Sequence, residues 1–335
     1  AVLRALRWLK HNQNTDGSWA TCRPAMTGLA LLTFLAHGET PSSEEFGETV
    51  EKAILWLINN QQPDGTFAGR DGNNYSQPIA TYAMCEAYAL TKVPTLKEAA
   101  EKALAIVIRG QHPSGGWDYN CKQTTRDDTS YMGWCAQSVK AGVMAGLKVD
   151  GLDRVYKNAV AGFEKNAHPE GGFGYVSPAQ GGLTGVGVLC MQLLGAANKT
   201  ACVKGLALLE NATFNWSADG AGTFNQNYYW YYITQAKFHA GDSTWKRWND
   251  LFAPVLVKNQ TVIKDVYKDH EGKVQEMGWW DMTAKLSGHT DGPVMNTALC
   301  ALQLQVYYRY LPTFKKVEPM DEAVKESVED DDIDI

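Results

Sequence analysis

A glycine followed two residues later by an aromatic residue recurs six times in this chain, at intervals of roughly 50 residues. The pairs are Gly17/Trp19, Gly65/Phe67, Gly115/Trp117, Gly171/Phe173, Gly222/Phe224 and Gly278/Trp280. The first three pairs end longer heptads of the pattern Gln-x-x-x-Gly-x-aromatic, which begin at Gln13, Gln61 and Gln111. A fixed period of this length is the signature of a fold built from one repeated supersecondary unit.

Each repeat contains two helix-like runs. An amphipathic run precedes the heptad, as in 5–12, 50–58 and 99–107, where apolar residues recur at helical spacing. A more apolar run follows it, at 26–36, 79–90, 128–145, 183–194, 226–240 and 293–308. Because a helix that is apolar on every side must be buried on every side, the second set belongs inside. The sequence therefore predicts an all-α fold, an (α/α)6 toroid of about twelve helices in two concentric rings.

An open solenoid is the alternative to a closed ring. It would need polar capping repeats at its ends, and the chain shows no obvious ones. Within each heptad we expect the Gln side chain to hydrogen-bond backbone groups at a helix end. We also expect the Gly to let the turn approach closely and the aromatic ring to pack on a neighbouring unit. The heptads are thus interpreted as structural.

Length and charge restrict the organisation and the partners. The repeat crosses every candidate boundary of the 335-residue chain, so we predict one toroid domain over residues 1–314 and an acidic tail over 315–335. Residues 317–335 hold nine acidic residues and one lysine, a charge of −8 within the total of −6, so the rest carries +2. That balance lacks the basic excess of a nucleic-acid binder. No run has the length and apolarity of a transmembrane span.

The remaining composition indicates no metal or cofactor. The seven cysteines form no metal-type pairs, and the chain has no HExxH motif, P-loop, dinucleotide fingerprint or serine-hydrolase elbow. Cys22 and Cys121 follow equivalent heptads, where either a disulfide or, by preference, two free thiols would fit. The chain begins at Ala1 without Met, so we expect an excised or processed form, and the compartment stays open.

In a closed ring, all second helices begin at the same end, so their N-termini converge around the mouth of a central cavity. Converging helix dipoles favour anions there, whereas aromatic faces favour apolar, cationic or sugar-like ligands. The predicted ligand-binding residues at this mouth are Arg23, Tyr75, Arg126, Tyr131, Trp134, Asn227, Tyr228, Tyr229, His289, Asp291 and Asn296. A protein partner at the mouth or rim is also compatible with this pattern.

The stretch Thr125-Arg-Asp-Asp-Thr-Ser130 precedes the third inner helix. In one interpretation, Asp127 or Asp128 is a helix N-cap that accepts backbone N–H groups. In the other, Asp127 is a cavity acid whose pKa is raised by burial, so that it donates a proton. His289 and Asp291 precede the sixth inner helix and could pair with each other or with the two aspartates across the mouth.

The heptads resemble the QW motif of squalene-hopene and oxidosqualene cyclases. The predicted ring resembles the α/α toroid of those enzymes, of protein prenyltransferase β subunits and of complement thioester domains, over nearly the whole chain to about Phe314. Three stretches, 127–134, 183–187 and 229–235, look like the bacterial proteins called prenyltransferase and squalene oxidase repeat proteins. The zinc ligands of the prenyltransferases and the Cys-Gly-Glu-Gln thioester motif have no counterparts here.

The resemblance also implies site residues. Class II terpene cyclases carry Asp-x-Asp-Asp-Thr-Ala where this chain has 125–130, so the resemblance implies Asp127 as the proton donor with Asp128 beside it. Here Thr125 replaces the first Asp, and Arg126 places a cation inside the motif, which should lower carboxyl pKa values.

The preferred hypothesis is a terpene-cyclase-like toroid that binds a small apolar or amphipathic, isoprenoid-like ligand. If the protein is an enzyme, the reaction would be an acid-initiated cyclisation or isomerisation. Asp127 would be the general acid and Asp128 its hydrogen-bond partner, and Tyr131, Trp134, Tyr228 and Tyr229 would stabilise a cation.

Two other functions fit the same ring. One is a non-catalytic scaffold for a protein, peptide or glycan, and the other is a carbohydrate-active enzyme with two facing carboxylates such as Asp127 and Asp291. A cavity of several hundred Å³ favours a small-molecule site, and a plugged ring with an exposed apolar patch favours a partner.

Overall fold

The computed structural model describes residues 1–67, 72–216, 226–281 and 292–308. These residues contain twelve α-helices in two alternating sets. The outer set is α1 (Val2–His11), α3 (Gly47–Asn60), α5 (Pro94–Gly110), α7 (Leu152–Lys165), α9 (Thr200–Leu209) and α11 (Asp242–Lys258). The inner set is α2 (Arg23–His37), α4 (Ser76–Thr91), α6 (Thr129–Met144), α8 (Thr184–Leu193), α10 (Gln226–Ala240) and α12 (Gly292–Leu304).

The inner helices form a closed ring. Each packs on the next, from α2 through α4, α6, α8 and α10 to α12, and α12 packs back on α2. Helix α2 is buried from Pro24 to Ala36, whereas the outer helix α1 buries only Ala5–Leu9. The predicted (α/α)6 toroid, with its apolar helices inside, is therefore confirmed.

The three complete heptads join neighbouring units through the same pair of hydrogen bonds. In each, the Gln side-chain amide donates to the glycine carbonyl of its own turn and to a carbonyl in the first two turns of the next outer helix. The second acceptors are Thr49 O for Gln13 (3.0 Å), Ala99 O for Gln61 (2.9 Å) and Val155 O for Gln111 (2.9 Å). The Gln of each motif thus bonds backbone groups near a helix end, as expected from the sequence, and it also holds its unit to the following one.

The motif tryptophans cap the outer helices. Each indole N–H donates over 2.8 Å to a carbonyl in the last turn of the outer helix of its own unit: Trp19 to Leu9, Trp117 to Val107 and Trp280 to Leu256. Carbonyls in a last helical turn have no partner within the helix. The indole therefore satisfies a buried backbone acceptor while its ring fills the core.

The sixth unit contains an antiparallel hairpin that the sequence analysis did not predict. Strands β1 (Thr261–Lys268) and β2 (Val274–Trp279) lie between Gln260 and Trp280, so they split the sixth motif. Gln260 nevertheless donates to Ala1 O over 2.9 Å, which repeats the inter-unit bond of the heptads. The hairpin packs on α1, where Trp279 stacks on Trp8 with ring centroids 5.9 Å apart. The sixth unit is thereby joined to the first.

Three further predictions concern the cysteine pair, the domain boundary and membrane spans. Cys22 and Cys121 form no disulfide with each other, in agreement with the preferred prediction of two thiols: the Cys22 thiol contacts Ser76 Oγ (3.7 Å) and the Cys121 thiol contacts Tyr131 Oη (3.2 Å). Gly222/Phe224 and the acidic tail over 315–335 lie outside the described residues, so the proposed domain boundary stays a prediction. Among the helices that are described, none combines the length and apolarity needed to cross a membrane.

Candidate functional site

A cavity of about 350 Å³ opens at the end of the ring where the inner helices begin. Its wall combines aliphatic and aromatic side chains with a few hydroxyl groups and one amide. The lining residues are Met26, Leu29, Asn73, Tyr75, Tyr119, Ser130, Trp134, Tyr175, Leu183, Tyr228, Tyr229, Met295 and Leu299. Among the residues that the structure describes, this wall carries no charged side chain.

Four hydroxyl groups form a connected chain along one side of the cavity. Ser130 Oγ lies 2.9 Å from Tyr75 Oη, which lies 3.3 Å from Tyr119 Oη. Tyr119 Oη in turn lies 2.5 Å from Tyr175 Oη. At the inner end, Ser130 donates to Asp128 Oδ1 over 2.5 Å. We call Ser130, Tyr75, Tyr119 and Tyr175 the hydroxyl chain.

The hydroxyls of Tyr75 and Tyr175 stay protonated at neutral pH. Burial raises the pKa of Tyr75 and of Tyr175, and hydrogen bonding with Tyr119 adds to the effect at both. Burial also raises the pKa of Tyr228, whose hydroxyl donates to the Ser130 carbonyl over 2.9 Å. The polar side of the cavity is therefore neutral.

Asp128, next to the hydroxyl chain, caps a helix and also forms an ion pair with Arg126. Its carboxylate accepts the Tyr131 N–H over 3.1 Å and so caps α6, as one interpretation of the sequence expected. Its second oxygen accepts from Arg126 over 2.6 Å. The Arg126 guanidinium also pairs with Asp118 and lies 4.9 Å from the ring centroid of Tyr119. Arg126 is thus fixed by two carboxylates and an aromatic face.

Asp127 lies away from the cavity. Its oxygens contact His112 Nδ1 (2.8 Å), Ser114 Oγ (2.9 Å) and Lys165 Nζ (2.5 Å). Burial by itself would raise the pKa of this carboxyl, but the hydrogen bonds from Lys165, His112 and Ser114 hold the pKa below its usual range. The expected raised pKa is therefore corrected to a lowered one, because partners from other elements stabilise the charged form. Asp128 shares none of these hydrogen bonds, contrary to the expected pairing of the two aspartates.

The other predicted site residues divide into three groups. Tyr75, Trp134, Tyr228 and Tyr229 line the cavity as expected. Four others lie off its wall: Arg23 pairs with Asp16, Tyr131 is buried with its hydroxyl on Cys121 N, Asn227 accepts from Gln303, and Asn296 is buried in α12. His289 and Asp291 lie outside the described residues.

Sequence reasoning missed Tyr119 and Tyr175, which lie in the loops before α6 and α8. A signal for them exists in the repeat. Only the third and fourth repeats carry a further aromatic two residues after the motif aromatic, as Trp117-Asp-Tyr119 and Phe173-Gly-Tyr175. Their rings line the same side of the cavity. Within the described ranges, no three His, Cys, Asp or Glu side chains lie close enough together to hold a metal ion.

Comparisons with known proteins agree with this architecture. The model of the squalene-hopene cyclase C-terminal domain matches residues 23–161. Drimenyl diphosphate synthase of Streptomyces showdoensis is 29% identical over 181 residues, which are 52% of this chain and 32% of that protein. Squalene-hopene cyclase of Zymomonas mobilis is 26% identical over 148 residues, 38% of this chain and 22% of that enzyme. The chain thus spans a third or less of the length of these relatives.

Two solved structures show the same fold. The α-1,6-mannanase GH76A of Salegentibacter sp. HEL1_6 superposes with a TM-score of 0.61 at 10% identity, covering 91% of this chain and 97% of that one. The type II terpene cyclase MstE of Scytonema, in complex with geranylgeranyl dihydroxybenzoate, gives a TM-score of 0.56 at 14% identity and covers 91% and 95% of the two chains. The similarity in sequence is to squalene-hopene cyclase and a related synthase, whereas the fold is shared with both solved structures. This chain is a squalene-hopene cyclase-like α/α toroid.

Proposed function

We propose that the toroid binds a small amphipathic, isoprenoid-like ligand in the cavity at its mouth. The observation that carries the proposal is the composition of the wall, which combines aliphatic and indole side chains with the hydroxyl chain. The volume of about 350 Å³ falls in the range of small-molecule pockets. Apolar burial would provide affinity, and the hydroxyl groups would orient the polar end of the ligand.

The relatives support an isoprenoid-like ligand over other classes. A drimenyl diphosphate synthase and a squalene-hopene cyclase are among the related sequences, and the solved structure of MstE holds a geranylgeranyl compound. Carbohydrate hydrolysis is less well supported, although mannanases share the fold, because it needs two carboxylates facing the substrate. Of the two carboxylates expected for this reaction, Asp127 is not part of the cavity wall, and Asp291 lies outside the described residues.

The proposal assigns binding to the cavity and assigns no proton donation to Asp127. A general acid must be protonated and within reach of the reacting group. The Asp127 carboxylate is instead held in its charged form by Lys165 and His112 and is not part of the cavity wall.

The test is native mass spectrometry and lipid extraction of protein expressed in a bacterial host, with Met295→Trp as the variant. Met295 lines the cavity, so the larger indole should fill part of it and displace a co-purified lipid. Val203→Trp is the matched control, because it adds the same indole at a 54% exposed position on the outer helix α9. Thermal unfolding of both variants is measured to verify that they are folded.

We expect a bound lipid in the wild type and in Val203→Trp, and at least a tenfold lower occupancy in folded Met295→Trp. Equal lipid content in all three proteins would place the ligand elsewhere. A wild type that neither co-purifies with lipid nor takes up added isoprenoids would refute the proposal.

A further inference from the structure

The hydroxyl chain has a definite direction of hydrogen bonding. Asp128 can only accept when ionised, so the Ser130 hydroxyl must donate its single proton to it. Ser130 Oγ is then an acceptor, and Tyr75 must donate to it. The Tyr75 proton is therefore directed away from any ligand, and the Tyr75 oxygen presents lone pairs.

The same count of protons applies to the other two members of the hydroxyl chain. Tyr119 contacts both Tyr75 and Tyr175, so the protons of Tyr119 and Tyr175 are used in these two contacts. Each hydroxyl has one proton, and each proton has a partner within the chain or at Asp128. The hydroxyl chain consequently offers the cavity acceptors and no free donor. Raised pKa values at Tyr75 and Tyr175 keep the protons that this arrangement needs.

The charged side chains behind the hydroxyl chain disfavour an anion at that chain. Arg126 is the cation behind the hydroxyl chain, and its guanidinium lies 5.1 Å from the ring centroid of Tyr175. It is paired with Asp118 and Asp128, so two carboxylates and one guanidinium leave this cluster with a net negative charge. A diphosphate needs strong donors or cations. The described part of the wall supplies no cation, and the hydroxyl chain supplies no free donor.

We infer that the polar end of the ligand is a neutral hydroxyl group, an alcohol or a phenol, which donates its proton to a tyrosine oxygen of the hydroxyl chain. This inference rests on the proposed function and narrows its ligand class. It excludes a diphosphate at the hydroxyl chain, as well as a polar end that can only accept hydrogen bonds there.

Three probes with one hydrocarbon tail test the inference. Farnesol can donate a hydrogen bond, farnesal can only accept one, and farnesyl diphosphate is an anion. Calorimetric titration of the full chain gives the three affinities. We expect farnesol to bind about tenfold more tightly than farnesal. The carbonyl oxygen of farnesal would face a tyrosine oxygen, and because neither can donate a proton, both would lack a hydrogen-bond partner. Farnesyl diphosphate should bind more weakly than farnesol.

Ser130→Ala tests the direction of the chain. It removes the acceptor for the Tyr75 proton, which then becomes available to a ligand. We expect the preference for farnesol over farnesal to fall close to unity in this variant. Tyr156→Phe is the matched control, since it removes a tyrosine hydroxyl that donates to Leu193 O and is not part of this cavity wall. The farnesol preference should survive there.

The outcomes separate the two proposals. A wild type that binds farnesal as well as farnesol, or prefers the diphosphate, overturns the inference but leaves a ligand in the cavity. A farnesol preference that persists in Ser130→Ala also overturns it. If none of the three probes binds, the proposed function fails and the inference fails with it.

Discussion

The close contact between neighbouring units predicts that Gly115→Ala destabilises the toroid. Gly115 has φ +91°, and an added Cβ would lie 2.1 Å from Asn158 O of α7, well inside van der Waals contact. The left-handed conformation costs an alanine about 1–2 kcal/mol. Displacing α7 costs roughly another 1–3 kcal/mol. We therefore expect the free energy of unfolding to fall by about 2–5 kcal/mol.

Variants at two further glycines separate the conformational cost from the cost of the contact with α7. Gly146 has φ +72° but no atom within 4 Å of an added Cβ, so Gly146→Ala should show the conformational cost alone, about 1–2 kcal/mol. Gly162 lies within α7, where an added Cβ would come within 2.6 Å of Gly116 N. In an unhindered helix, alanine would gain roughly 0.5–1 kcal/mol over glycine. Here we expect Gly162→Ala to destabilise, because the contact outweighs the propensity.

The assay is unfolding by guanidinium chloride, followed by circular dichroism and tryptophan fluorescence. A shift of the midpoint at unchanged slope reports a change in stability. Equal losses in Gly115→Ala and Gly146→Ala, within about 0.5 kcal/mol, would refute the reasoning, since the contact with α7 would then contribute nothing. A stabilised Gly162→Ala would refute it independently.

Two other predictions follow from the hydrogen bonds of the motif and of Asp127. Trp117→Phe should lower the free energy of unfolding by about 1–3 kcal/mol, because it leaves the buried Val107 carbonyl without its indole donor. The ring shape should be tolerated, since the second repeat has Phe67 at this position; no loss in denaturant titrations would contradict the capping role. The partners of Asp127 lower its pKa in the folded protein, so they stabilise the fold when the pH is above the pKa of the unfolded chain, about 3.9. This stabilisation is lost as the pH falls through the lower pKa of the folded protein. Stability should thus fall more steeply below pH ~4 in the wild type than in Asp127→Asn, and identical acid-unfolding profiles would contradict the charged state of this carboxyl.

The hairpin and the cavity wall show where sequence reasoning stopped. The period could not reveal β1 and β2, because they are inserted between Gln260 and Trp280 and belong to no other repeat. Tyr131 was expected in the cavity because it begins an inner helix, yet it is fully buried with its hydroxyl on Cys121 N. A nearly apolar helix does not reveal which of its faces points to the centre of the ring, since its hydrophobic pattern has no polar side.

The sequence by itself determined the repeating unit, the two classes of helix, the closed ring and the roles of Gln and Gly in the motif. These features depend on short-range periodicity and on chemistry that recurs in each unit, so one chain contains several copies of the evidence. Only the tertiary structure decided the environment of the two aspartates and the membership of the hydroxyl chain. Asp127 meets Lys165 from α7, and Ser130 meets Tyr75 from a loop 55 positions away. Such contacts occur once, between distant elements, and the protonation and polarity of the site follow from them.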